Sequence, residues 1–237
     1  MRLVLVAAAL AAPLALAQPA TAATVTALTS DNTLLRLDSA DPGAVSAPVA
    51  IGGLAAGETV RGIDTRPKDG RLYGIVSQVD GSGARIATIN RTTGATAGVA
   101  SLASNPANSI LTPGTTPVPI MGQLVGADFN PVADALRVVT DQEQNLRINT
   151  GGRVAGGPAG ATAIDGALNL GGPPSAGLNI VSAAYTNSVD GATTTLLYTL
   201  DSVSDQLFVQ DPPNAGTQSS PLKLSVNAVG AVGFDIL

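Results

Sequence analysis

The residues most suited to chemistry are carboxylates that recur in one short phrase. Gly62-Ile63-Asp64, Gly126-Ala127-Asp128 and Gly233-Phe234-Asp235 each place Asp two residues after Gly, and Ala184 takes the matching point in Ser182-Ala183-Ala184. Asp64, Asp128 and Asp235 brought to one place would hold a hard cation such as Ca²⁺, with carbonyl and water oxygens completing the shell. Unpaired, they would repel one another, so a cation or Arg partners must accompany them if they converge. The plainer role for each is to accept hydrogen bonds from the backbone of its following turn. A second group lies between residues 134 and 147. There Arg137 and Arg147, with Asp134 beside them, offer a clamp for an anionic ligand, because a guanidinium grips carboxylates and phosphates in a fork. Their structural alternative is pairing with Asp128 or Asp134 across adjacent strands. Asp141-x-Glu143-x-Asn145 starts like a calcium loop, but Leu146 stands where such a loop needs Gly and no acid closes it, so it reads as a hairpin tip.

What is missing narrows the chemistry. The chain has no His, which removes Ser-His triads, imidazole acid–base work and His-ligated metals. It has no Cys and no Trp, and its aromatics are three Tyr and three Phe, too few to supply a stacking platform for sugars or bases. Lys68 and Lys223 form no Ser-x-x-Lys arrangement, and no phosphate-binding Gly loop, dinucleotide fingerprint or Gly-x-Ser-x-Gly elbow is present.

The N-terminus reads as a signal peptide over residues 1–22. Arg2 supplies the positive charge, Leu3 to Ala17 the apolar stretch, and Ala20-Thr21-Ala22 a small-residue cleavage site. That places the protein outside the cytoplasm, secreted or periplasmic, and leaves one domain over residues 23–237. The full chain carries a net charge of −5, and losing Arg2 makes the remainder one unit more acidic. Such a domain has no general attraction for nucleic acid or anionic lipid. With its leader removed it is expected to stay out of the membrane, as a monomer.

Positioning these residues falls to strands. Short apolar runs rich in Val, Ile, Leu, Thr and Tyr alternate with Gly, Pro, Asn and Asp clusters, and no helical period persists after the leader. The phrase at Gly62 continues through Pro67 into Leu72 to Ile75, and the phrase at Gly126 continues through Pro131 into Leu136 to Val139. A weaker copy runs from Ser182 into Leu196 to Leu200, and a fourth begins at Gly233 with no second strand after it. Thr24 to Leu28, Thr33 to Leu37 and Ala44 to Ile51 are strands that lack a first strand. Pairing the C-terminal strand with the N-terminal strands would complete the set. The expected fold is therefore all-β, a small β-propeller of four blades with four strands each, closed through its two ends. An irregular β-sandwich of hairpins is the rival. Two long connections, Ala103 to Gln123 and Gly151 to Asn179, break the rhythm. In the first, Ile110, Leu111, Ile120 and Met121 are expected to pack down as a cap.

Gly126-Ala-Asp-Phe-Asn-Pro-x-x-Asp134-x-Leu-Arg-Val-Val, then Gln144-Asn-Leu-Arg-Ile-Asn149, resembles the signature of a bacterial exported family labelled domain of unknown function 4394. Gly62-Ile-Asp-x-Arg-Pro-x-x-Gly70-x-Leu-Tyr-Gly74 is similar to its other recurring motif, and the likeness covers nearly all of the chain from Val25. Ala135 departs from it, standing where Arg would be expected. The resemblance implies export and repeated β structure and brings no activity with it. The residues favour a non-catalytic binding or interaction protein, its ligand or protein partner unspecified. The alternatives are a Ca²⁺-dependent lactonase- or esterase-like hydrolase, whose metal would activate water, and a structural component of an extracellular matrix or surface layer.

Overall fold

The computed structural model describes residues 22–152, 156–172 and 177–236. The expected leader lies outside these residues except for Ala22.

The chain forms four antiparallel sheets arranged as a four-bladed β-propeller. The first blade holds β1 (Thr24–Leu28), β2 (Thr33–Asp38), β3 (Asp41–Val45) and β4 (Val49–Ala50). The second holds β5 (Glu58–Thr65), β6 (Leu72–Gln78), β7 (Arg85–Ile89) and β8 (Thr96–Ser101). A two-stranded ribbon of β9 (Ala103–Ser104) and β10 (Thr116–Pro117) follows. The third blade holds β11 (Val125–Asn130), β12 (Ala135–Thr140), β13 (Asn145–Ile148) and β14 (Thr162–Ile164). The fourth holds β15 (Ile180–Tyr185), β16 (Leu197–Asp201), β17 (Gln206–Gln210) and β18 (Gln218–Lys223). Strands in blades two to four pair in simple sequence order, each with its successor.

Period-two alternation sorts the side chains of each blade between its two neighbours. In β12, Leu136 and Val138 join the core against the second blade, packing with Ile75, Ile86 and Phe129. Val139 instead joins Ile180, Ala183, Tyr185 and Phe208 in the core against the fourth blade. Tyr73 and Phe129 meet edge to face, with ring centroids 5.3 Å apart, across the junction of blades two and three. A third cluster, including Leu34, Val60, Val76 and Ile89, joins blades one and two.

The glycines of the repeated phrase sit where inner strands come close. A Cβ on Gly126 would lie 2.6 Å from the Cα of Ser182, and one on Gly62 would lie 3.1 Å from the Cβ of Ala127. Small residues at this point let successive inner strands approach around the axis.

The first long connection packs down in part. Ile110 and Ile120 are buried, whereas Leu111 and Met121 are about half exposed. Ile110 packs on Ala135 and Ala163, and Asn149 Nδ2 donates to its carbonyl at 2.8 Å. Ala135, 2% exposed, is thus a core residue. Isolated parallel bridges tie the exits from the outer strands of the first three blades to the outer edge of the next blade: Gly52 to Ala95, Ala103 to Ala161 and Asn169 to Thr217.

The closure of the ring differs from the sequence expectation. Gly233–Ile236 form no ladder with β1, and the first sheet draws its fourth strand from β4, which pairs with β2. The preceding segment is held by the fourth blade. Ala228 N–H donates to Asp205 Oδ1 at 2.8 Å, and Val232 packs with Val181 and Leu200. The end of the chain nevertheless returns to the axis, close enough for the charge of Asp235 to be felt at Asp64 and Asp128.

Candidate ligand cavity between two blades

Arg137 and Arg147 lie directly opposite each other on β12 and β13, with side chains on the face turned to the fourth blade. Two like charges so placed repel. The structure relieves this with Asp165, just beyond β14, whose side chain is 4% exposed. Arg137 Nη1 donates to Asp165 Oδ2 at 2.7 Å, while Arg147 donates from Nε to Oδ2 at 2.7 Å and from Nη2 to Oδ1 at 2.9 Å. Two guanidiniums thus share one carboxylate. The pairing with Asp128 or Asp134 that strand adjacency suggested is not made. Asp134, at the β11–β12 turn, receives hydrogen bonds from Arg66 Nε and Nη2 at 2.7 and 2.6 Å, with Lys68 3.5 Å away. It belongs to a separate cluster between blades two and three, which also includes Asp69 and Tyr73. The Asp134 hydrogen bonds hold the Arg66 pKa above its ordinary value.

Arg137 is 2% exposed and nearly saturated. Beyond Asp165 it donates to Asn145 Oδ1 at 2.7 Å and Asn214 Oδ1 at 2.8 Å, with the Tyr185 hydroxyl 3.4 Å from Nε. Asn145 in turn fastens the 3₁₀ turn Pro213–Ala215 by donating to the Pro213 carbonyl, and donates to the Gly166 carbonyl as well, each at 3.0 Å. Gln210 and Gln218 continue this buried polar chain as far as Thr199 in the fourth blade. A network so fully hydrogen-bonded fixes where its members can sit.

A cavity of about 260 Å³ opens beside this cluster. Arg137, Arg147 and Tyr185 contribute its polar side, while Ala133, Ala135 and the Pro212–Pro213 pair contribute apolar wall. Asn130 and Asn214 also line it. Arg147, less buried than Arg137 at 29% side-chain exposure, is the guanidinium most open to solvent.

The repeated carboxylates take a different role. Phe129 N–H donates to Asp64 Oδ2 at 2.7 Å, and Tyr185 N–H donates to Asp128 Oδ1 at 2.9 Å. Each Asp therefore reaches from its own inner strand to the residue after the matching position in the next blade, as an interblade clasp. Asp64 also receives Thr65 N–H, and Asp235 receives Ile236 N–H at 2.7 Å. Burial pushes the Asp64 pKa up to about 7, assisted by the charge of Asp235 and opposed by the Phe129 N–H. Asp64 retains some solvent contact. Asp128 is raised by burial and then by Asp64, and Asp235 is raised chiefly by burial. Among the described residues, no three acidic side chains stand at metal-ligating spacing.

Sequence reasoning located both arginines but not Asp165, Asn145, Tyr185 or Asn214. Asp165 follows a Gly/Ala/Pro-rich stretch whose strand pairing had no clear pattern, and Asn214 lies in a turn of another blade. The sequence places Asn145 at a hairpin tip, whereas the structure buries it to 1% exposure. Only the alternation Asn145-x-Arg147 pointed to a shared face.

No curated protein matches this chain. The family described as domain of unknown function (DUF4394) matches it over residues 33–237, which span all four blades except for β1. The chain belongs to that family.

Proposed function

We propose that the protein is an exported, non-catalytic β-propeller that binds a small anionic ligand in the cavity between its third and fourth blades. The observation that carries this reading is the shared carboxylate. Asp165 neutralises one of two guanidiniums and leaves one positive charge in surplus at a cavity open to solvent. Binding is favoured over catalysis because the titratable side chains lining the cavity are Arg137, Arg147 and Tyr185, which include no general base suited to neutral pH. Asp64 and Asp128 accept hydrogen bonds from the backbone of the next blade, which favours a clasp over the water-activating centre of a Ca²⁺-dependent hydrolase. Export rests on the leader features of residues 1–22.

A thermal melt tests the reading. Sodium acetate compared with sodium chloride at equal ionic strength should raise Tm saturably, since a ligand that binds only the native state adds about 2.7 kcal/mol at 100 times its Kd. Arg147→Gln should remove the rise. Equal melts in the two salts for the unmodified protein would count against it.

A further inference from the structure

We infer that the cavity selects a singly charged carboxylate with a compact apolar body. This rests on the anion-binding reading and narrows it by charge, by hydrogen-bonding sense and by size.

Charge comes first. Arg137, Arg147 and Asp165 together carry one net positive charge, which a monoanion cancels. A dianion would leave a negative charge in surplus beside Asp165, whose own charge is buried and has little water to screen it. Hydrogen-bonding sense points the same way. Among the described residues, Arg147 Nη1, Asn214 Nδ2, Asn130 Nδ2 and the Tyr185 hydroxyl proton have no protein acceptor. The side-chain acceptors of the two asparagines are already taken. Asn214 Oδ1 receives Arg137, and Asn130 Oδ1 receives the N–H groups of Val132 and Ala133. The lining is thus rich in unused donors, which suits a ligand with acceptors and no need to donate. Size sets the last limit. About 260 Å³ falls below the roughly 300–1,000 Å³ usual for pockets holding drug-sized molecules. Ala133, Ala135, Pro212 and Pro213 provide the wall against which a short alkyl or small ring would rest.

Isothermal titration of the purified protein at fixed ionic strength decides the matter, with sodium butyrate, sodium succinate, inorganic phosphate and the neutral butyramide as probes. Butyrate should bind one to one, and succinate and phosphate at least about fivefold more weakly. Butyramide should give no binding, because it lacks the charge that a guanidinium fork prefers. Arg147→Gln should weaken butyrate at least about tenfold, the scale of a lost charge-assisted hydrogen bond. Ala133→Leu should do likewise by filling the cavity without touching an ion pair, so a folding defect in the first variant leaves the test intact. Succinate or phosphate binding as tightly as butyrate would overturn the monocarboxylate assignment and leave the anion cavity standing. No binding by any of the three anions, or binding unchanged in both variants, would overturn both.

Discussion

Arg137 and Arg147 can stand side by side only because Asp165 lies between them, so this carboxylate bears on stability and ligand charge together. Asp165→Ala would leave two neighbouring guanidiniums without a counter-charge, one of them almost wholly buried. Removing one member of a buried ion pair costs about 3 kcal/mol or more, which for a domain of this size lowers Tm by roughly 6–12 °C. Calorimetric melts would show it, and a fall under about 2 °C would mean that water replaces the carboxylate freely. The clasp carboxylates set a pH dependence of the opposite kind to ordinary ion pairs. Because the folded pKa of Asp64 is raised to about 7, the native state binds more protons than the unfolded chain between about pH 4 and 7. Stability contributed by this group is full at the acid end and lost as pH rises through 7. Asp128 and Asp235 act in the same direction. Glu58 does the reverse, since its hydrogen bonds from Arg85 hold it down at about 2, so its contribution is lost as pH falls below 4 toward 2. The melt should therefore be higher near pH 5 than near pH 8 and fall again in stronger acid. Asp64→Asn should flatten the limb between pH 5 and 8, and an unchanged slope would show that Asp64 is well hydrated.

The elements show why so much of the architecture was legible and so little of the cavity. Leu136 to Val139 and Ile180 to Tyr185 are mostly apolar and buried at every position because the third and fourth blades are covered on both faces there, and Pro and Asn marked the turns between them. The recurring Gly-x-Asp was legible as a repeat, but the partner of its Asp was not. At Asp64 and Asp128 the side chain caps an N–H of the adjacent blade, a relation that pairing within one sheet does not reveal. The glycine is more demanding still. Gly126→Ala would drive a methyl into the Ser182 backbone, which cannot move aside as a flexible side chain can. Overpacking of this kind costs about 1–3 kcal/mol. A denaturant midpoint unchanged in Gly126→Ala would show that β11 and β15 have slack between them. The cavity drew on Asp165, Tyr185 and Asn214, which are spread over two blades and brought together only by tertiary folding.

Across the whole molecule, interblade bridges join the first three junctions of the ring, and among the described residues no such bridge joins the fourth blade to the first. β3 is exposed throughout and β1 is only partly buried, whereas every residue of β12 and β15 is buried. Local opening follows such differences in burial. Amide exchange should therefore be faster in β1 to β3 than in β12 and β15, and equal protection would place an equally strong junction between the first and fourth blades. The cavity lies at the junction of blades three and four, where the two blades hold the arginine cluster rigid from both sides. Whether that rigid site takes an anion is read most directly from the arginine Nε–H resonances in NMR during titration with sodium butyrate. The Arg147 resonance, assigned by its loss in Arg147→Gln, should shift saturably, while that of Arg85, paired with Glu58 in the second blade, should stay in place. Small, parallel and unsaturated shifts at both arginines would show that the cavity has no affinity for the ion and would contradict the account.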